Sequence, residues 1–586
     1  MKTTLSYYKK YIPLMLIIVV LLFTQAMCEL ALPGYMSDII NKGIILMNQS
    51  YIYKIGGLML AVAFCSVVCS ISANGVAAKV GAVTSRDLRS ALFRRVTAFS
   101  RAELEEFSTA SLITRSTNDV QNIQQTTVMA LRFMIFAPCM GIGALVKAIR
   151  TSPDLTWTIV LGLVAVLIIM VGLFIAVMPK FKVMQTKLDR LNLVVKERLE
   201  GLLVIRAFNT EKHEEDRFGE ANTDLTRIYI FVNRAMSILF PAMTLIMSMM
   251  GVLIVWKGGQ LVDTHSIMIG EILAFLQYAM QVVMSFLFIT MMFIMLPRAA
   301  VSAGRIGAVL DTKPTITDPE DKAEANGRIL QIPERRGLVE FKDVSFAYPD
   351  ASENALEHIS FAAEPGQTTA IIGSTGSGKS TLITLVPRFY DVTGGEIDID
   401  GTNIKDITQH ELHEKIGLVP QKGLLFSGTI ASNLQYGKSD ATDEEMREAC
   451  ETAQAMEFIN EMPDGFDTEV SQGGTSVSGG QKQRLSIARA LIKKPEIYIF
   501  DDSFSALDFK TDAVLRKALK EKVGGSTFII VAQRINTIMD ADKIIVMNEG
   551  EIAGIGTHRE LLNTCSVYKE IASSQLSEEE LGREGA

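Results

Sequence analysis

The chain has 586 residues, 48% of them apolar, and a formal net charge of −8. That length exceeds one ordinary domain, and the acidic balance gives no support to a nucleic-acid partner. The mean hydropathy of +0.25 is high for a soluble protein. The excess sits before about residue 300, so a membrane half joined to a soluble half is expected.

The N-terminus, MKTTLSYYKKYIPLMLIIVVLL, has a basic start and then an apolar run. It lacks a convincing small-residue cleavage site, and further spans follow, so it reads as a retained helix rather than a removed leader. Five charge-free runs suit a bilayer of about 20 residues per helix: Tyr11–Cys28, Ile55–Ala78, Leu155–Met178, Ala235–Trp256 and Ile272–Leu296. Phe133–Val146, between Arg132 and Lys147, is short for a span. Parity supplies the argument for it. A basic N-terminus belongs in the cytoplasm, and so does the C-terminal half if its GSTGSGKST stretch is a phosphate loop for a nucleotide, which requires an even number of spans. Six helices are predicted, at about 11–32, 55–80, 128–149, 155–179, 235–257 and 271–297.

The long segments Lys79–Arg132 and Lys180–Arg234 are rich in Lys and Arg, whereas 33–54, 147–154 and 257–271 are short and carry few. The long ones also show apolar residues at helical spacing, so spans two to five are expected to continue into the cytoplasm. Gln25 and Glu29, and Gln277 and Gln281 one turn apart, are polar groups at or near membrane depth, where such groups usually face a bundle interior or wet cavity. Spans five and six are rich in Met, including Met243, Met247, Met249, Met250, Met280, Met284, Met291, Met292 and Met295. Flexible thioethers suit either a pocket for varied apolar ligands or plain core filling. The six scattered cysteines include no CxxC, so neither a disulfide framework nor a zinc site is expected.

Residues 311–337 are charged and contain three prolines, as a linker would. A domain over 338–575 follows, opening on the alternating strand pattern VEFKDVSFAYP, and an acidic tail closes the chain at 576–586. Gly373, Ser374, Thr375, Gly376, Ser377, Gly378, Lys379, Ser380 and Thr381 form GSTGSGKST, a phosphate loop between a strand pattern and a helix pattern. Its glycines let backbone N–H groups wrap phosphates. Lys379 is assigned to the β- and γ-phosphates and Ser380 to Mg²⁺. The strand IYIFD ends at Asp501, expected beside the phosphate-loop strand and facing the magnesium. VSGGQKQR, Val477–Arg484, places a hydroxyl and two glycines at a helix start, a second anion-binding arrangement. Two such elements in one domain suggest two domains sharing nucleotides.

GSTGSGKST, VPQKGLLFSGTI, VSGGQKQR, IYIFDD and SALD follow the order and spacing of an ABC-transporter ATPase domain. The membrane half, with ERLEGLLVIRAFNTEKHEEDRF, resembles the exporter-type (type IV) transmembrane domain. The likeness covers roughly residues 10–570 and implies a half-transporter, two chains making one pump. It implies that Tyr348 stacks on adenine, that Gln421 sits near Mg²⁺, and that Ser478, Gly479, Gly480 and Gln481 contact ATP held by the partner. It also implies that Asp508 links the two sites. The turns near Asn118–Asn122 and Asn209–Glu215 would be the coupling helices.

Three positions depart from the family pattern. Val477 replaces the usual Leu, which keeps an apolar side chain. Asp502 stands where Glu polarises the attacking water, and Gln533 stands where a switch histidine is usual. Asp is one methylene shorter, and displacements near 1 Å can cost about a hundredfold in rate. Gln keeps hydrogen bonding but not a titratable proton. His410, His413 and His558 do not match the missing position.

The expected fold is therefore an all-α membrane domain of six helices with long cytoplasmic extensions (1–310), fused to an α/β phosphate-loop ABC ATPase domain. The expected function is ATP- and Mg²⁺-dependent export of amphiphilic, drug-like molecules across the plasma membrane. The chain would act beside a second, different half-transporter whose competent site its signature completes. Export of a defined peptide or lipid, siderophore import through the same fold, and a purely regulatory ATP-binding subunit are the alternatives.

Overall fold

A computed structural model of the chain describes residues 2–319, 336–349 and 351–576. Most of the expected linker (320–335) and nearly all of the acidic tail (577–586) lie outside the described residues. The chain divides into two units. One comprises Met1–Thr97 and Thr109–Thr312, the other Ala98–Ser108 and Lys313–Ala586.

The first unit is all helix. Among the described residues, six helices are long and apolar enough to cross a membrane: Thr3–Ile44, Gln49–Thr97, Thr109–Thr151, Pro153–Glu200, Glu211–Asp263 and Ile269–Asp311. The third carries the short run 133–146, so the parity argument gives the right number. The helices run for 42 to 53 residues, or about 60 to 80 Å at 1.5 Å per residue, against a hydrocarbon core of about 30 Å. The expected extension beyond the bilayer is present, and it includes the first and last helices, which were not expected to share it. The sixth helix packs on the third and first, and the fourth on the fifth. Asn41 Oδ1 accepts from the Gly270 amide at 2.8 Å, tying the first helix to the start of the sixth. The Met residues divide in two. Met243, Met250 and Met292 are buried core, while Met249, Met280, Met284 and Met291 are open. Gln277, Met280, Met284 and Met291 share one open face of the sixth helix.

The described residues of the second unit form three sheets. In strand labels, β1 is Val339–Phe346, β2 Leu356–Ala363, β3 Thr368–Gly373, β4 Gly394–Ile399, β5 Thr402–Asn403 and β6 Ile416–Val419. The series continues with β7 Gly428–Thr429, β8 Glu469–Val470, β9 Ile497–Asp501, β10 Thr527–Val531, β11 Lys543–Asn548 and β12 Glu551–Gly556. An antiparallel sheet runs β2-β1-β4-β5, a larger sheet β12-β11-β3-β10-β9-β6, and β7 pairs with β8. In the larger sheet β11, β3, β10, β9 and β6 are parallel. Parallel strands covered on both faces read as unbroken apolar runs, and TTAIIG, IYIFD and TFIIV are such runs, buried nearly throughout.

The order corrects one expectation. β9 does not lie beside the phosphate-loop strand β3. β10 lies between them, pairing Val531 with Ile371 of β3 and with Asp501 of β9. All five β10 residues are buried, so TFIIV suits the centre as well as IYIFD does. The insertion carries Gln533, two residues past β10, to the gap between the phosphate loop and Asp501.

The two stretches expected as coupling helices both lie in the first unit. The stretch around Asn118–Asn122 lies inside the long helix Thr109–Thr151 of the first unit. The stretch near Asn209–Glu215 spans the break between the helices Leu202–Ala207 and Glu211–Ser237, also in the first unit. The ATPase unit also includes Ala98–Ser108, with a short helix Arg101–Phe107, in the connection between the second and third long helices. Ser100 and Glu103 form its capping box, and Phe99 stacks on Phe107 at 5.9 Å. Glu103 is buried, and its carboxylate accepts from the Ser100 amide (2.7 Å) and hydroxyl (2.6 Å) and from the Thr315 amide (3.1 Å). Burial pushes the Glu103 carboxyl up, but the bonds from Ser100 and Thr315 outweigh it and hold the group below its ordinary value.

A depressed carboxyl stabilises the fold above its unfolded-state value and loses that contribution as pH falls through the folded one. Protection of the 98–108 amides in hydrogen exchange should therefore weaken as pH drops below about 4.5. Glu103→Ala should remove about 1–3 kcal/mol of that protection at neutral pH.

Candidate nucleotide site

The phosphate loop leaves β3 at Gly373 and enters the helix Lys379–Leu385 at Gly378. Gly378 sits at φ +95°, and a Cβ there would lie 2.7 Å from Leu356 Cδ2 and 3.0 Å from the Ala355 carbonyl. A Cβ on Gly373 would meet the Met547 carbonyl at 2.2 Å. Only glycine fits either position, which leaves the loop's backbone free to cradle phosphates. Ser374, Thr375 and Gly376 are exposed along the loop, and Ser377 is buried beneath it. Lys379 Nζ donates to the carbonyls of Gly373 (2.9 Å) and Ser374 (2.6 Å) and to Ser377 Oγ (3.3 Å). Burial pulls its pKa down, opposed by the attraction of Asp502 and Asp501. The ammonium is thus held at the loop's centre, facing both carboxylates.

Asp501 Oδ1 accepts from Ser380 Oγ at 3.1 Å. Burial raises its pKa, and the Ser380 hydroxyl opposes the rise. One carboxylate and one hydroxyl beside a phosphate cradle form the hard-oxygen donor set that Mg²⁺ takes together with phosphate oxygens, so these residues fit the ion.

Asp502 is arranged differently. It is 7% exposed and adopts φ +45°, a left-handed conformation that costs a non-glycine residue energy. Its own N–H donates to the Val531 carbonyl at 2.9 Å and fixes that backbone. Its Oδ2 accepts from Gln533 Nε2 at 2.8 Å and faces Gln421 Nε2 at 3.4 Å. Both glutamines predicted for this site therefore converge on one oxygen of Asp502. Gln421 spends its amide nitrogen there, leaving its carbonyl oxygen for a metal.

Tyr348 lies next to the phosphate-loop helix, with its hydroxyl 2.8 Å from Thr381 Oγ1. Its ring meets Phe346 at 5.0 Å and Tyr390 at 5.4 Å, both T-shaped. Burial and then the neighbouring Glu105 carboxylate push Tyr390 up to about 12. The Ala98–Ser108 segment therefore reaches Tyr390, which packs against Tyr348, the residue expected at adenine.

The signature residues stand apart from this cluster. Ser478 caps the helix Gly479–Ile492, its N–H donating to Gln481 Oε1 at 2.9 Å and its Oγ accepting from the Gln481 amide at 3.3 Å. Gly479 has open space where a Cβ would be. Among the described residues, no hydrogen bond joins 478–481 to 373–381. Asp508 caps the helix Phe509–Val523 and accepts from the Thr511 amide (3.0 Å) and hydroxyl (2.7 Å). Those bonds hold its carboxyl below the usual range.

Two positioning residues went unread in the sequence. Gln575 Nε2 donates to the Gln533 carbonyl at 2.8 Å while its Oε1 accepts from the Ile535 amide at 2.9 Å, so it clamps the segment carrying Gln533. Buried Gln483, on the signature helix, donates to the Pro420 carbonyl at 3.1 Å beside Gln421. An SGGQ-x-Q pattern hints at the second, but nothing marks the first. His413 and His558 are engaged elsewhere, with the Pro387 carbonyl (2.9 Å) and the Tyr568 hydroxyl (2.6 Å).

A phosphate-loop ATPase with a second, outward-facing glycine-rich helix start, in a chain with six membrane-length helices, defines an ATP-driven membrane transporter. The ABC transporter transmembrane region matches residues 15–286, and the ABC transporter ATPase model matches 356–505. An uncharacterised ABC transporter ATP-binding protein of Mycobacterium tuberculosis is 38% identical over 570 residues, 97% of each chain. YfiB of Bacillus subtilis, described in the same words, is 36% identical over 586 residues, 100% of each chain. The fatty acid ABC transporter ATP-binding/permease protein of Mycobacterium bovis is 34% identical over 457 residues, 78% of this chain and 71% of its own. A solved bacterial Atm1-family ABC exporter with ATP bound superposes at a TM-score of 0.76, covering 97% of this chain and 99% of its own at 24% identity. The chain belongs to the ABC transporter family and has the exporter-type fold.

Lys379→Ala should lower ATP affinity at least about tenfold, read by fluorescent-nucleotide binding to the purified chain. Gly378→Ala should do the same and also destabilise the ATPase unit by about 1–3 kcal/mol in thermal unfolding, because its backbone conformation does not suit a Cβ.

Proposed function

We propose that the chain is one subunit of a heterodimeric ABC exporter of amphiphilic molecules, and that its own phosphate-loop site binds ATP but hydrolyses it slowly. The observation that carries this reading is the environment of Asp502. A general base must reach the water's proton with a free lone pair and a suitable pKa. Asp502 Oδ2 already accepts from Gln533 and faces Gln421, and no imidazole stands at the Gln533 position to share a proton.

The phosphate loop and Asp501 retain what binding requires. Lys379 and the loop amides hold the phosphates, and Ser380, Asp501 and the Gln421 carbonyl are the groups that would hold Mg²⁺. When bound, that ion neutralises charge on the β- and γ-phosphates. The outward-facing Ser478–Gln481 helix start is free to meet ATP held by another subunit. Two identical copies would place two slow sites in one pump, whereas a different partner supplies a competent site that this signature completes. ATP binding would draw the ATPase domains together, and the membrane helices would alternate between inward- and outward-facing states. The basic segments support a cytoplasmic N-terminus and ATPase domain in a plasma-membrane protein.

The amphiphilic cargo is supported by the open face of the sixth helix, where Gln277 accompanies Met280, Met284 and Met291. Flexible thioethers adapt to ligands of varied shape. Lipid export is the second reading, favoured by the likeness to the fatty acid transporter. Uptake into inside-out vesicles separates the two readings, with neutral dyes and fluorescent fatty acids compared in parallel.

Isolation from native membranes should yield a complex with a second, different half-transporter, identified by mass spectrometry. The purified chain alone should hydrolyse ATP at a small fraction of the complex's rate. Asp502→Glu with Gln533→His in the assembled pair should raise turnover at this site about tenfold to a hundredfold, measured with the partner's site disabled. Full-speed hydrolysis by the single chain would refute the proposal.

A further inference from the structure

The six apolar runs contain no Lys, Arg, Asp or Glu, but Glu29 follows the first run directly and has helix on both sides. Its depth can be read from its partner. Glu29 Oε1 accepts from Ser66 Oγ of the second helix at 3.2 Å. Ser66 lies twelve residues from Lys54 and thirteen from Lys79, the charged residues bounding that run, or about 18 and 20 Å of helix. A core of about 30 Å therefore leaves Ser66, and the carboxylate bonded to it, near the middle of the membrane.

Glu29 sits on a packed seam. Ser66, Cys69, Ala73, Ala77 and Val80 form the buried stripe of the second helix. Buried Gln25, one turn before Glu29, donates to the same Oε1 at 2.8 Å. Two donors thus fix one oxygen, while Oε2 makes no hydrogen bond among the described residues. No Lys, Arg or His pairs with Glu29 among them either, and the residue is only partly buried. A group whose sole task was to bridge two helices could be Gln or Ser, without the cost of a carboxylate at this depth. The surroundings are apolar and polarisable. The sulfurs alongside are those of Cys28 and Cys65, and Ala26 and Leu30, on the same helix, belong to the buried apolar core.

We infer that Glu29 is a recognition site for the positive charge of cationic amphiphiles, with Gln25 and Ser66 orienting it so that Oε2 faces the cargo. This rests on the exporter reading and narrows its substrate class to delocalised organic cations. Such ions shed water at low cost and suit sulfur-rich apolar walls, while the carboxylate supplies what those walls lack.

The test uses the assembled transporter in zwitterionic nanodiscs, with empty discs as the blank, and two probes of one shape and opposite charge, tetraphenylphosphonium and tetraphenylborate. The wild type should prefer the cation. Glu29→Gln should reduce that preference about tenfold, the effect of one charge pair in partly desolvated surroundings, and Glu29→Asp should retain it in part. Equal binding of both probes by the wild type, or an unchanged preference in Glu29→Gln, overturns the inference. Because the measure is a ratio, a lowered yield of folded protein does not mimic the expected result. ATP-driven uptake of tetraphenylphosphonium into inside-out vesicles is measured in parallel. If charge preference depends on Glu29 but ATP drives no uptake, the exporter reading fails alone. If uptake is ATP-driven and Glu29→Gln keeps the preference, the cation site fails alone.

Discussion

The parallel ladder β3-β10-β9 is the constraint on which the nucleotide site depends. Parallel pairing puts the carboxyl ends of all three strands on one edge, and the register holds Ile371, Val531 and Asp501 level. From that edge β3 turns into the phosphate loop, β10 leads to Gln533, and β9 delivers two aspartates. None of these side chains could be placed by local sequence alone. The apolar runs behind them, buried on both faces, supply the rigidity that holds a lysine, a serine hydroxyl and two carboxylates in one place.

The two aspartates show how one residue step changes a role. Asp501 ends the ladder and turns to Ser380. Asp502 leaves it with a left-handed backbone, anchored through its N–H to the neighbouring strand's carbonyl, and turns to the two glutamines. The first arrangement leaves a carboxylate beside the phosphate cradle, where cation binding needs it. The second turns one carboxylate oxygen toward two side-chain amides.

Much of this was legible in the sequence because the signals are local. GSTGSGKST carries its own conformational requirements, and the apolar runs carry their own length test. Strand order was not legible, because TTAIIG, IYIFD and TFIIV are alike in composition and nothing in them says which is central. The Gln575 clamp was invisible for a related reason, since a single glutamine in the turn after the last helix has no pattern. The Ala98–Ser108 segment did leave a trace. Ser100 and Glu103 have capping-box spacing, a helix-start signal inside what reads as one continuous helical stretch.

That segment makes the ATPase unit discontinuous in sequence. Residues 98–108 belong to it, yet about 200 residues intervene before the rest of the unit begins at Lys313. At roughly 5–20 residues per second of synthesis, the segment emerges some tens of seconds before the surface that will receive it. The intervening chain must enter the membrane in that interval. The ATPase unit can reach its final form only after four further helices have been made, so its completion reports on the membrane unit's assembly. An ATPase domain expressed from Lys313 onward would lack the buried Glu103 and the stacked Phe99 and Phe107.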